Sequence, residues 1–265
     1  MMLFFFRNET LQTMIMTTPE LCVVFDIDDT LYLEREYVCS GFRHVGRYVE
    51  KELGIPNFAE RAWSLFLAGH RGNTFDKILQ QQNIQWERSK MEHLISLYRS
   101  HAPDIRLLPD ALLCLNALQE RVRLAIISDG PLEAQRNKVA VLRLNQWFEH
   151  ILLTEELGGE YAKPSASGFR LMQEQFGFDA DRFCYVADNP TKDFIAPRKL
   201  GWKTIRVRRR EGLHAAVEID GEWAADAELS DLSQLPKQLE QTWQSHWLPS
   251  EGFSYKGGLR REQPI

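Results

Sequence analysis

Short apolar runs alternate with longer amphipathic stretches along most of the chain. Residues 21–26 (LCVVFD) form a continuous apolar run with β-branched members, which is typical of a strand buried on both faces of a sheet. Similar runs predict further strands at residues 122–127, 150–153, 183–187 and 203–207. Helical spacing of apolar residues predicts helices at residues 109–120, 132–144, 165–176 and 191–200. This alternation predicts an α/β fold with a doubly wound parallel sheet and helices on both faces.

The stretch between the first two predicted strands carries helical patterns only. Over residues 37–53, apolar side chains recur at spacings of three and four, which places them on one helical face, at Val38, Phe42, Val45, Val49 and Leu53. Further helical patterns occur at residues 58–68, 75–82 and 87–100. We therefore predict a helical cap, residues 33–108, inserted into a core domain made of residues 21–32 and 109–248.

Both ends of the chain lie outside this pattern. Residues 1–20 precede the first strand and are predicted to be an N-terminal extension, for which translation starting upstream of Met16 is one explanation. A short strand at residues 224–229 and a helix at 232–243 are expected near the other end, followed by a flexible tail at 249–265. The apolar run at residues 1–6 is too short for a signal peptide, and no later run reaches the roughly 20 apolar residues of a membrane span. We expect a cytoplasmic protein without a membrane partner.

Composition and charge exclude several other classes of protein. Hydrophobic residues make up 44% of the chain and charged residues 26%, as in ordinary globular domains. The net charge of -5 makes nucleic acid an unexpected partner. A basic cluster is accordingly predicted to lie on the surface, at Arg206, Arg208, Arg209 and Arg210. The four cysteines are widely separated and lack C-x-x-C spacing, which argues against a disulfide framework and a zinc site.

Polar residues follow most of the predicted core strands. In open parallel sheets the ligand lies at the carboxyl ends of the strands, so these residues are expected to converge there. They belong to four motifs: FDIDDTL at residues 25–31, IISDG at 126–130, AKP at 162–164 and VADNPTKD at 186–193. Converging carboxylates repel one another unless a cation lies among them. A Mg²⁺ ion bound by Asp26 and Asp188, with the main-chain carbonyl of Asp28 as a further ligand, fits this chemistry.

These motifs, in this order, resemble the haloacid dehalogenase (HAD) superfamily of hydrolases over residues 21–207. The resemblance implies a Rossmann-like core and a phosphatase in which Asp26 attacks phosphorus and becomes an aspartyl-phosphate. Asp28, free to swing toward the leaving group, would protonate the departing alkoxide and then deprotonate the hydrolytic water. A halide leaving group needs no such acid, so the presence of Asp28 favours phosphate esters over haloacids.

The resemblance also implies how phosphate and metal are held. The phosphoryl oxygens would be bound by Ser128, Asp129, Gly130 and Lys163 as charge spreads over them. Asp188 would bind the metal. Asp193, supported by Asn189, would position a metal-bound water or the Lys163 ammonium.

The cap is expected to close over the crevice and to choose the substrate. His70, Arg71 and Asn73 lie in a glycine-flanked break between two helical stretches, where the alternative is an exposed connecting turn. Arg43 and Arg47 lie on the first cap helix opposite its apolar stripe, where the alternative is a solvated face.

A closing cap favours a small phosphorylated metabolite, which could be a sugar, polyol, amino alcohol or nucleotide phosphate. Two alternatives use the same residues differently. A phosphomutase would return the phosphoryl group from Asp26 to the substrate, and a catalytically idle relative would serve as a binding or regulatory module.

Overall fold

The computed structural model describes residues 21–81 and 87–243. Within these residues, six parallel strands form one sheet: β1 (Cys22–Phe25), β2 (Arg123–Ser128), β3 (His150–Leu153), β4 (Phe183–Ala187), β5 (Lys203–Val207) and β6 (Ala227–Leu229). Their order is β3-β2-β1-β4-β5-β6. The strand order reverses at β1, so the crevice of this open sheet lies at the carboxyl end of β1. The predicted doubly wound fold is confirmed.

The helices lie between the strands along the chain. They are α1 (Glu34–Leu53), α2 (Phe58–Leu67), α3 (Thr74–Gln81), α4 (Arg88–Ser100), α5 (Pro109–Leu118), α6 (Leu132–Val141), α7 (Thr154–Leu157), α8 (Ser167–Phe176), α9 (Ile195–Leu200) and α10 (Leu235–Thr242). None of the helices in the described ranges is long and apolar enough to cross a membrane. The extension predicted at residues 1–20 and the tail predicted at 249–265 lie outside the described residues.

The side chains of β1 alternate between two hydrophobic cores, because successive residues of a strand point to opposite faces of a sheet. Val23 and Phe25 pack into the core that also contains Leu115 of α5 and Ile126. Cys22 and Val24 pack into the opposite core, with Phe169, Tyr185 and Trp202. Burial on both faces explains why β1 reads as a continuous apolar run.

The helices α1–α4, which we call the α1–α4 segment, pack around a separate hydrophobic core. The apolar stripe predicted for α1 lies in this core, where Phe42, Val45 and Val49 meet Phe58 and Leu94. The chain enters and leaves the segment at neighbouring points, since the amide of Leu108 donates to the carbonyl of Leu31 over 3.0 Å.

Three elements differ from the sequence-based prediction. The helix expected at residues 191–200 begins only at Ile195, because residues 189–193 form a hydrogen-bonded turn at the carboxyl end of β4. The helix expected at 132–144 ends at Val141, and Arg143 then adopts a left-handed conformation with φ of 52°. The last strand is limited to three residues, Ala227–Leu229.

The expected surface position of the arginine cluster is wrong for two of its members. Arg206 and Arg209 are 4% and 7% exposed. The Arg206 guanidinium donates to the carbonyl oxygens of Asp188, His214 and Val217. The Arg209 guanidinium donates to the carbonyl of Thr30 and to Asp110. Buried carbonyl groups need donors, so these two arginines fix the loop after β5 against the carboxyl edge of the sheet.

Candidate active site

Asp26 directly follows β1 and is 4% exposed. Its main-chain amide donates to the carbonyl of Val186 on β4, which continues the strand pairing up to the site. Of its carboxylate oxygens, Oδ1 accepts a hydrogen bond from Ser128 Oγ at 2.7 Å, and Oδ2 lies 3.1 Å from Lys163 Nζ. The motifs at the ends of β1 and β2 and the loop after β3 therefore meet at one carboxylate.

Lys163 lies at the centre of the buried polar network. Its ammonium is 2.8 Å from Asp193 Oδ1 and donates to Tyr185 Oη at 2.9 Å, in addition to its contact with Asp26. The Tyr185 hydroxyl donates in turn to the carbonyl of Ile127. Burial alone would lower the pKa of Lys163, but the carboxylates of Asp193 and Asp26 raise that pKa well above its ordinary value. These two carboxylates therefore favour the charged form of Lys163.

Asp26, Asp188 and Asp193 form a buried acidic cluster. One carboxylate oxygen from each lies within 4.8 Å of the others. Burial, followed by repulsion from Asp193 and Asp26, raises the pKa of Asp188 well above its ordinary value. Asp188 Oδ2 is buried and has no hydrogen-bond partner among the described residues. An orphaned carboxylate oxygen in a negative cluster fits a divalent cation, which would take that oxygen as a ligand.

The cluster overlaps the predicted metal set in two members, Asp26 and Asp188. The side chain of Asp28 lies elsewhere, since Lys138 Nζ is 2.7 and 2.8 Å from its two carboxylate oxygens. Gln135 Nε2 donates to Asp28 Oδ2 at 2.9 Å, and the Tyr32 hydroxyl donates to Oδ1. Burial would raise the pKa of Asp28, but Lys138 lowers it below its ordinary value. The structure holds Asp28 in place, in contrast to the freely swinging carboxylate expected from the sequence.

Asp129 and Gly130 shape the loop after β2. The Asp129 carboxylate accepts hydrogen bonds from Thr154 Oγ1 at 2.8 Å and from the main-chain amide of Lys163 at 3.2 Å, and it pairs with Lys192 at 3.1 Å. Gly130 has a φ of 134°, and a Cβ there would lie 2.8 Å from Gln135 Nε2. The Asp129 side chain thus connects the loops of the site, and the Gly130 position accepts no side chain without rearrangement.

The turn after β4 places Asp193 beside Lys163. Asn189 Oδ1 accepts hydrogen bonds from the amide and the hydroxyl of Thr191, at 3.0 and 2.7 Å. The amide of Asn189 donates to Asp193 Oδ2 at 2.9 Å. Asn189 therefore acts on the site by shaping the turn, since its side chain is used within it.

A cavity of about 470 Å³ lies between the carboxyl edge of the sheet and the α1–α4 segment. Asp28, Asp129 and Gly130 line it from the sheet, and His70 and Arg71 line it from the segment. The Arg71 guanidinium donates to the carbonyl of Phe66 at 2.7 Å and lies 4.0 Å from the centre of its ring.

The other specificity candidates lie apart from this cavity. Arg43 and Arg47 are exposed side chains of α1, and Asn73 is exposed in the turn before α3. Among the described residues, these three are not part of the cavity lining.

Several residues of the site were not predicted from the sequence. Gln135 and Lys138 are three positions apart on α6, directly after the IISDG motif, and that spacing places both on the helical face toward Asp28. The spacing shows that the two residues share a face, but it does not show which residue that face contacts. Tyr185, inside the apolar run of β4, gave no sign of its contact with Lys163, because that contact depends on which elements neighbour each other in space.

The motifs, the fold and the acidic cluster together define one class of protein. Residues 23–207 match the model of the haloacid dehalogenase-like hydrolase family, so the chain belongs to this family. The resemblance found in the motifs is thereby confirmed.

Individual relatives are more distant. A glyceraldehyde 3-phosphate phosphatase of Methanocaldococcus jannaschii is 25% identical over 194 residues, which cover 70% of this chain and 83% of the relative. A phosphoserine phosphatase of Thermus thermophilus is 30% identical over 119 residues, 45% of each chain. The putative HAD-hydrolase YfnB from Bacillus subtilis superposes with a TM-score of 0.63 at 18% identity, covering 84% of this chain and 99% of its own. This structural likeness shows the fold.

Proposed function

We propose that the protein is a Mg²⁺-dependent phosphatase that hydrolyses a small phosphate monoester through an aspartyl-phosphate on Asp26. The main support is the position of the Asp26 carboxylate between Ser128 Oγ and Lys163 Nζ, beside Asp188 and Asp193. A carboxylate held in one orientation by two donors is prepared to attack an electrophile. Sequence relatives named as phosphatases favour phosphorus as that electrophile.

In the first half of the reaction, an oxygen of Asp26 forms a bond to phosphorus and the bond to the substrate alkoxide breaks. Lys163, Ser128 and the Gly130 amide would hold the phosphoryl oxygens as their charge redistributes. Water then attacks phosphorus in the second half, which releases phosphate and restores the Asp26 carboxylate.

Asp28 is the proposed proton donor to the alkoxide and acceptor from the water. Lys138 favours the carboxylate form of Asp28, which is the form that accepts a proton from water. A dianionic phosphate that enters beside Asp28 favours the protonated form, because it adds negative charge next to the carboxyl group. Binding of the substrate would thus prepare Asp28 to act as an acid.

Asp26 and Asp188 are the proposed metal ligands, with Asp193 and the main-chain carbonyl of Asp28 completing the protein side of the site. These residues would hold Mg²⁺, whose positive charge would offset the acidic cluster and polarise the phosphoryl group for attack by Asp26. Asp193 has a second task, since its contact with Lys163 keeps the ammonium directed at Asp26.

We further propose that residues 33–108 act as a cap on a core made of residues 21–32 and 109–248. The support is that the α1–α4 segment has its own hydrophobic core and that its two connections meet at Leu31 and Leu108. Such a cap would exclude water from the cavity during the transfer and would contribute the contacts that select the substrate.

The experiment is a panel of phosphorylated metabolites assayed for phosphate release with Mg²⁺, with EDTA, and with the Asp26→Asn variant. Release that requires Mg²⁺ and Asp26 supports the proposal. A phosphomutase would instead convert a substrate into its isomer without releasing phosphate. A binding module would do neither, and it would retain an affinity for ligand in Asp26→Asn.

A further inference from the structure

We propose that the substrate carries an aromatic ring on a hydroxylated linker, as a nucleoside 5′-monophosphate does. This inference rests on the proposed phosphatase function and narrows it. It separates this chain from its relatives, which are named for glyceraldehyde 3-phosphate and phosphoserine.

The first observation is the aromatic wall of the cavity. Each helix of the α1–α4 segment contributes at least one ring: Tyr37 and Phe42 from α1, Phe66 from α2, Phe75 from α3 and Tyr98 from α4. The rings touch one another, with the centroid of Phe42 lying 6.0 Å from Phe75 and 5.8 Å from Tyr98. The cavity therefore faces one connected aromatic surface rather than isolated side chains.

The second observation is the size of the cavity, about 470 Å³. Pockets of roughly 300–1,000 Å³ hold ligands of drug size, which include a ring as well as a polar group. A triose phosphate or phosphoserine has no apolar surface to place against the rings, and either would leave much of the cavity to water. A ligand with a ring would displace that water and pack against the parts of these rings that face the cavity.

The third observation is a carboxyl group in the lining of the cavity. Glu34, the first residue of α1, lines the cavity and is half-buried. Its carboxyl group has no hydrogen-bond or ion-pair partner within the described ranges. A carboxyl group without a partner accepts hydrogen bonds from ligand hydroxyls, and the ribose that links the phosphate of a nucleotide to its base carries such hydroxyls.

Ribose 5-phosphate is the matched control substrate, because it equals a nucleoside 5′-monophosphate without its base. We expect kcat/KM for the better of AMP and UMP to exceed that for ribose 5-phosphate by about 5-fold to 100-fold, the range that one stacked base contributes. Glyceraldehyde 3-phosphate and phosphoserine should be poorer still. Ribose 5-phosphate or glyceraldehyde 3-phosphate turned over as well as the nucleotides would overturn the inference. Failure of the phosphatase proposal is distinct, since then no substrate, p-nitrophenyl phosphate included, releases phosphate.

A pair of variants on α2 tests the wall itself. Phe66→Leu keeps an apolar side chain and removes the ring, whereas Leu67→Ala alters a neighbour that is 60% exposed. The measured quantity is the ratio of kcat/KM for the nucleotide to kcat/KM for ribose 5-phosphate, with folding checked by circular dichroism. We expect this ratio to fall at least about 3-fold in Phe66→Leu and to stay within about 2-fold in Leu67→Ala, because Phe66 lines the cavity and Leu67 does not. An unchanged ratio in folded Phe66→Leu contradicts the proposed ring contact.

Discussion

Asp188→Asn is expected to stabilise the metal-free protein, although it removes a proposed metal ligand. The carboxylate oxygens of Asp26, Asp188 and Asp193 lie within 4.8 Å of one another. At that separation and an effective dielectric constant of about 20, two unit charges repel by about 3.5 kcal/mol. Lys163 offsets part of this repulsion, and the remaining repulsion contributes to the raised pKa of Asp188. We expect the variant to raise the free energy of unfolding in EDTA by roughly 1–3 kcal/mol at neutral pH.

The increase in the free energy of unfolding expected for Asp188→Asn should depend on pH. Burial and then repulsion from Asp193 and Asp26 raise the pKa of Asp188 above its ordinary value of 3.8. The folded protein therefore binds this proton more tightly than the unfolded chain does. The contribution of this proton to the free energy of unfolding of the parent protein is fully present only below the pKa of the unfolded chain. It is lost as the pH rises through the raised pKa of the folded state. The advantage of Asp188→Asn in EDTA should accordingly be small in acid and grow toward neutral pH.

In the presence of Mg²⁺ the parent protein should be more stable than Asp188→Asn, which is the opposite of the order expected in EDTA. A ligand present at 100 times its dissociation constant stabilises the folded state by about 2.7 kcal/mol. For a chain of this size that gain corresponds to a rise in Tm of about 5–10 °C. The parent protein should show this rise, and Asp188→Asn should show a much smaller one because a ligand is missing.

The assay is thermal unfolding of both proteins at several pH values, in EDTA and in MgCl₂. Asp181→Asn is the control, because it makes the same chemical change at a side chain that is 78% exposed. It should leave Tm and its response to Mg²⁺ unchanged. The reasoning is refuted if Asp188→Asn is less stable than the parent in EDTA at neutral pH and Mg²⁺ does not raise the Tm of the parent.

Three further outcomes are expected. Asp28→Asn should reduce kcat/KM for alkyl phosphates at least about 10-fold more than for p-nitrophenyl phosphate, whose leaving group needs little protonation; equal losses would remove Asp28 from the acid role. Lys163→Met leaves Asp26 and Asp193 buried without their cation, so the free energy of unfolding measured with urea in EDTA should fall by roughly 3–5 kcal/mol. A fall of less than about 1 kcal/mol would contradict this account. Glu34→Gln should lower kcat/KM for ribose 5-phosphate but leave p-nitrophenyl phosphate unaffected, and a parallel loss on both would place Glu34 among the groups that contact phosphate.

Much of the core was predictable because its signals are local. The strands at His150–Leu153, Phe183–Ala187 and Lys203–Val207 match their predicted bounds, since each is a short run rich in apolar or β-branched residues. The convergence of Asp26, Ser128, Lys163 and Asp188 follows from the rule that parallel strands end at the same edge of the sheet. Motif order along the chain was therefore enough to find the centre of the site.

The rest depended on contacts between distant parts of the chain. The sequence predicted a surface position for Arg206 and Arg209 because the carbonyl groups that accept their hydrogen bonds lie in other loops. The anchoring of Asp28 by Lys138 joins positions 110 residues apart, and side-chain spacing within one helix does not report such a pair. The cavity lining also required the packing of α1–α4, because helical periodicity shows which face is apolar but not what that face borders.

The hydrogen bond between Leu108 and Leu31 has a consequence for how this protein can change. Because the two connections of the α1–α4 segment are adjacent, removing the segment leaves two chain ends that a short turn can join. An exchange of the whole segment would thus leave every strand of the sheet and every residue around Asp26 in register. Under the proposed role of the segment as a cap, recombination could supply a new recognition surface to an unaltered chemical centre in a single step, and a graft of another helical segment between these two positions would be a route to new substrates.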